Sequence, residues 1–176
     1  ATSQECDVNY LACADMPVIA SIRDVKLSVG TDSLWMVDGS GKIYRRTGIS
    51  GSNPSGNDWE HVPGKLKQIS VNDDQVWGVN GFNQIYRRVG VSGSNPSGND
   101  WDHIRGSLKQ VAVGDYNVWG VNDHDQIYIR SGVSSSNPSG HTWQQVQGEL
   151  NQIAVNDGMV WGVQDSGRIY RRTDVT

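Results

Sequence analysis

Several residue types able to bind a polar ligand recur along the chain at one fixed interval. Arg46, Arg88, Arg130 and Arg172 stand 42 residues apart, and so do Trp59, Trp101 and Trp143. A guanidinium is a planar fork of donors that suits vicinal hydroxyls or an anionic group. An indole ring presents a flat apolar surface, against which the C–H face of a pyranose packs while its hydroxyls stay free. Asn80 and Asn122 keep the same interval and carry both a donor and an acceptor. Tyr86 and Tyr128 do likewise and add rings. Together these ten residues are the candidate binding set, and sugar recognition is the chemistry they suit. Each also has a structural alternative. The tryptophans lid the edge of a sheet, the arginines bridge neighbouring units, and the asparagines cap turns.

Catalysis finds less support. His61 and His103 keep the interval while His124 and His141 do not, and no close His or Cys pairing of the kind metal sites use is present. Neither a metal nor a cofactor is expected. There is no G-x-S-x-G elbow, P-loop or dinucleotide fingerprint. A glycosidase needs two converging carboxylates. Asp58 and Asp100 recur, but Thr142 takes that place in the third unit. The reading is therefore of a protein that is not an enzyme. A net charge of −4 argues against a nucleic-acid backbone as partner. No run of about 18 apolar residues argues for membrane insertion. No basic-then-apolar leader opens the chain, so any secretory signal is expected to have been removed.

The elements that hold these residues follow from the same interval. Trp35, Trp77, Trp119 and Trp161 recur, as do Tyr44, Tyr86, Tyr128 and Tyr170, and Pro54, Pro96 and Pro138. Four units thus fill the 176 residues after a short N-terminal arm. In the second unit, 67–71, 76–80, 84–89 and 101–104 read as short strands bounded by Gly, Asn and Asp. No segment carries a helical period. Four antiparallel strands in about 40–45 residues mark a β-propeller blade. The expected fold is all-β, a propeller of four tandem 42-residue blades spanning 17–176, with 1–16 as an arm. The outer strand of the fourth unit would start beyond residue 176, and the same register projected backwards falls on Pro17–Ile22. That apolar run is expected to close the last blade as a clasp, unless neighbouring chains exchange it. The Trp of each V-W-G-V strand is read as blade packing, and Asn-Pro-Ser-Gly at 53–56, 95–98 and 137–140 as a type I turn. Unit one has Met36 in place of the Gly of Gly78. Unit three has Ile129 where Arg45, Arg87 and Arg171 stand, so the first arginine of each pair ranks below the second as a binding candidate.

The motifs V-W-G-V-N at 76–80, I-Y-R-R-x-G at 85–90, N-P-S-G-x-x-W at 95–101 and G-x-L-x-Q-x-x-V at 106–113 resemble the tectonin repeat. Proteins similar to this include fish egg lectins and invertebrate defence lectins. The resemblance implies a secreted β-propeller that binds sugars, N-acetylglucosamine or lipopolysaccharide-like surface glycans, as in innate defence. Repetition of the site around the ring, and again in a homo-oligomer, would make such a lectin multivalent and able to agglutinate cells. In that extracellular setting Cys6 and Cys13 would form a disulfide, within one chain or between chains. The other functional reading is a non-catalytic scaffold for protein interaction.

Overall fold

The computed structural model describes residues 24–72, 74–156 and 158–172. Every element in that range is a β-strand, as expected, and the strands fall into four sheets, each antiparallel and in chain order. The first holds β1 (Lys26–Val29), β2 (Leu34–Val37), β3 (Ile43–Arg46) and β4 (Trp59–Val62). The second holds β5 (Gln68–Asn72), β6 (Gln75–Val79), β7 (Gln84–Val89) and β8 (Asp100–Ser107). The third holds β9 (Gln110–Val113), β10 (Val118–Val121), β11 (Gln126–Arg130) and β12 (Trp143–Glu149). The fourth has three strands among the described residues, β13 (Gln152–Asn156), β14 (Met159–Val163) and β15 (Ile169–Arg172). They are the four blades of a β-propeller. The clasp expected at Pro17–Ile22, the arm and both cysteines lie outside the described residues.

Each seam between blades is built from two sets of residues. The preceding blade contributes Trp35, Val37, Ile43 and Val62, and the following blade contributes Leu66, Ile69, Val71 and Val76, all buried together. The second seam repeats this with Trp77, Val79, Ile85 and Ile104 against Leu108, Val111, Val113 and Val118. The third does so with Trp119, Val121 and Ile127 against Leu150, Ile153 and Val160. Both faces of an internal blade are therefore apolar, and no blade buries its core alone. Hydrogen bonds lock the inner strands across the seams. Gln68 Nε2 donates to the Val111 carbonyl at 2.9 Å while its Oε1 accepts from the Val111 amide at 3.1 Å. Gln110 does the same with Ile153.

The Gly of V-W-G-V is required by a close approach. A Cβ on Gly78, Gly120 or Gly162 would stand 2.5, 2.4 or 2.3 Å from the Cδ1 of Leu66, Leu108 or Leu150. This accounts for unit one, which has Asp24 at the leucine register and a fully buried Met36 at the glycine register. There the β2 side chain supplies the volume that the leucine supplies elsewhere.

Candidate functional site

The β5–β6 and β7–β8 loops leave a blade at one end of its strands, and the β6–β7 turn leaves at the other. This divides the polar contacts of the ten candidate residues between the two ends, although Tyr86 and Trp101 pack on one seam and Tyr128 and Trp143 on the next.

At the first end, Arg46, Arg88 and Arg130 are buried and hold the Asn-Pro-Ser-Gly loop. Their Nε atoms donate to the carbonyls of Ser55, Ser97 and Ser139 at 2.9, 2.8 and 2.9 Å. Their guanidinium groups lie 5.5, 5.2 and 5.4 Å from the ring centroids of Trp59, Trp101 and Trp143, within cation–π range. The half-buried Trp101 also donates its indole N–H to the Pro63 carbonyl of the preceding blade at 2.8 Å. Trp143 meets Trp77 edge to face at 6.3 Å. The turn itself closes as expected, with the Gly98 amide donating to the Asn95 carbonyl at 3.0 Å. Asn95 Nδ2 braces the loop through the Gly90 carbonyl and Asn99 Oδ1.

At the other end, Asn80 Oδ1 accepts the amides of Phe82 and Gln84, and Asn122 Oδ1 accepts those of His124 and Gln126. Their Nδ2 groups donate to Gln84 and Gln126 Oε1 at 2.8 Å, which also receive the hydroxyls of Tyr86 and Tyr128. The asparagines cap turns, and the tyrosine rings pack into the seams.

Two matching clefts open where the loops of adjacent blades meet. The cleft between blades one and two, about 330 Å³, is lined by Asp32, Ser33, Arg45, Asp74, Val91 and Pro96. That between blades two and three, about 540 Å³, is lined by Asp74, Gln75, Arg87, Asp115, Val133 and Pro138. Shifted by one repeat, Ser33 becomes Gln75, Arg45 becomes Arg87, and Val91 and Pro96 become Val133 and Pro138. Arg45 and Arg87 are buried. Desolvation lowers their pKa, and Glu60 beside Arg45 and Asp102 beside Arg87 oppose that shift. Guanidinium groups stay protonated regardless.

The two clefts differ in one respect. In the wider one Gln75 Oε1 accepts from Arg87 Nε at 3.4 Å and from Trp77 Nε1 at 3.1 Å. Ser33 is too short for that role, and Arg45 Nε and Ser33 Oγ are both buried with no hydrogen-bond partner from the protein. A buried unpaired donor costs about 1–3 kcal/mol, and such groups are normally met by the protein or by ordered water. At the same register of blade three the charged pair is replaced. Arg45 pairs across strands with Glu60 and Arg87 with Asp102, but Ile129 pairs with Gln144.

Arg45 and Arg87 are thus the arginines that line these two matching clefts, whereas the sequence reading ranked them below the second of each pair because of Ile129. The signal that would have found them is the joint loss of arginine and acid in unit three. Among the described residues no group of three His, Cys, Asp or Glu is placed to hold a metal ion, and no helix is long and apolar enough to cross a membrane. Asp58 and Asp100, the recurring acids, accept the amides of Trp59 and Trp101.

Residues 18–176 match the family described as Tectonin domain. Comparison with curated proteins returned no match. Among solved structures, human WBSCR16 superposes with a TM-score of 0.61 at 12 % identity, over 82 % of this chain and 46 % of that one. Prp20p of Saccharomyces cerevisiae superposes with a TM-score of 0.56 at 9 % identity, over 82 % of this chain and 43 % of that one. The computationally designed Ika4 protein gives 0.51 at 10 % identity, over 84 % of this chain and 88 % of that one. The chain spans less than half the length of the human and yeast structures. At these identities the likeness is one of fold.

Proposed function

The chain belongs to the tectonin domain family, and on that premise we propose that it is a non-catalytic lectin whose inter-blade clefts bind neutral, polyhydroxylated glycans of the N-acetylglucosamine type. The observation that carries this reading is the pair of buried, unpartnered donors, Arg45 Nε and Ser33 Oγ, in a cleft that recurs one repeat later. A sugar ring needs donors, acceptors and a small apolar contact in one place. The cleft offers Arg45 and Ser33 as donors, Asp32 and Asp74 as acceptors, and Val91 with Pro96 as the apolar wall. The acids at the mouth disfavour anionic ligands, which selects neutral sugars over phosphorylated ones. The second arginines and outer tryptophans serve the site by holding the loop that forms its wall. Single sugars bind weakly, because each new hydrogen bond replaces one to water. Repetition of the cleft raises avidity on a repetitive surface by roughly 10²–10⁴, which supports agglutination by an extracellular protein.

Isothermal titration with N-acetylglucosamine and its oligomers tests the reading. Saturable binding that strengthens with oligomer length is expected. Absence of heat with these sugars, together with a blank glycan array, removes it. In that event the same clefts serve as a protein-interaction rim.

A further inference from the structure

Eight register positions line both clefts, and five of them carry the same residue in each. The other three differ. From the first cleft to the second, Ser33 gives way to Gln75, Gly93 to Ser135, and Asp74 to Tyr116. The second cleft is also the larger, about 540 Å³ against about 330 Å³. Blades two and three, which line it, each pack against a blade on either side. Gln75 Oε1 is engaged there by Arg87 and Trp77, whereas Ser33 and Arg45 keep unpaired buried atoms. The first cleft therefore offers buried donors in a small space. The second offers a larger space with a ring at its edge.

That ring, Tyr116, is 77 % exposed. A single exposed aromatic is ordinary, but this one is fastened in place. It stands at the tip of the β9–β10 hairpin, where the Gly114 amide donates to the Asn117 carbonyl at 2.8 Å. Its neighbour Asp115 accepts a hydrogen bond of 2.6 Å from Asn72 Nδ2 of blade two, across the seam. Gly30 and Gly114 stand at the register of Asn72 in the first and third blades, and neither has a side chain to repeat the tie. The hairpin that carries a ring into a cleft is thus the one held to the opposite blade. A tyrosine offers flat apolar area with few rotatable bonds, so a ligand settling on it immobilises little.

We propose that the cleft between blades two and three is an extended site that takes two linked sugar rings, whereas the first cleft takes one; this rests on the lectin reading. The inner ring lies against Arg87, Val133 and Pro138, in the register of Arg45, Val91 and Pro96. The outer ring lays its C–H face on Tyr116 and keeps its hydroxyls toward solvent. Ser135 adds a hydroxyl where Gly93 has no side chain. Asp74, at the register of Tyr116, cannot serve the first cleft in this way, because a carboxylate holds its hydration and has no apolar face. Tyr116 is thereby the residue that sets the length of glycan bound.

Isothermal titration with N-acetylglucosamine and with its dimer tests this, on the full chain and on Tyr116→Ala, Tyr116→Phe, Arg45→Ala and Arg87→Ala. Tyr116 is exposed, so neither substitution there opens a cavity in the core. In the wild type one site is expected to prefer the dimer over the single sugar by roughly three- to tenfold, the strength of one aromatic contact. The other site is expected to show no such preference. Tyr116→Ala should abolish the preference, and Tyr116→Phe, which keeps the ring, should retain it. Arg45→Ala spares the wider cleft and should retain it too, whereas Arg87→Ala should lose it. A wild type that binds both sugars alike overturns the extended site. So does a preference that survives Tyr116→Ala or Arg87→Ala. Those outcomes leave the lectin reading standing, since sugar still binds. No heat with either sugar removes the lectin reading and the extended site together.

Discussion

Removing the guanidinium from a cleft separates the binding role of the first arginine from any role in folding. In Arg45→Ala the structure loses an ion pair of 3.6 Å to Glu60, whose side chain is 44 % exposed and stays hydrated without its partner. Such a pair contributes about 0–1 kcal/mol. The buried Nε has no partner in the protein, so no internal hydrogen bond is lost there. Stability should therefore fall by about 1 kcal/mol or less, most of it from the packed stem of the side chain. Binding should respond differently. A hydrogen bond from a charged donor to a ligand contributes about 1.5–3 kcal/mol, which at about 1.4 kcal/mol per decade is roughly a ten- to 150-fold loss of affinity at that cleft. Arg45→Lys should do nearly the same harm, because an ammonium keeps the charge but lacks the fixed Nε–H. Isothermal titration with N-acetylglucosamine oligomers reads the number of sites, and urea denaturation reads stability. Each of Arg45→Ala and Arg87→Ala should lower the number of sites per chain by one, and the double substitution by two. An unchanged number of sites in a folded double variant refutes the assignment of the clefts.

Other substitutions probe what positions the clefts. Trp101→Ala removes the indole that Arg88 covers and Pro63 anchors, and should cost about 3 kcal/mol of stability in a denaturant titration; a variant of wild-type stability that no longer binds sugar would instead favour a platform role. Gly120→Ala places a Cβ 2.4 Å from Leu108 Cδ1 and 2.9 Å from the Gln110 carbonyl oxygen, and should destabilise by about 1–3 kcal/mol. Adding Leu108→Ala should then give a double variant more stable than the sum of the two single losses. Asn95→Ala removes two braces of the Pro96 loop; about 1 kcal/mol of stability should be lost, with affinity falling at the first cleft while the second cleft keeps its own brace through Asn137.

The architecture was legible because a propeller writes its blade into the chain once per repeat. The 42-residue interval marked the blades, Gly and Asn marked the turns, and alternation marked strands with two apolar faces. The structure places β7 at Gln84–Val89, where the sequence placed it, and the other three strands of that unit within two or three residues at each end. The binding residues were less legible. Recurrence drew attention to Arg88 and Trp101, but recurrence is also what a loop brace requires, and these two hold the same loop in every complete blade. Asn80 and Tyr86 recur for an equally structural reason, at the far end of the strands.

Strand identity, turn chemistry and blade number follow from neighbours in the chain, since backbone preference and two-residue alternation are local. Tertiary structure alone decided which arginine of each pair faces a cleft, because adjacent residues on a strand point to opposite sides and the cleft wall comes from the next blade. It also decided that Ser33 leaves a donor unpaired where Gln75 satisfies one, since that difference depends on side-chain reach across a seam.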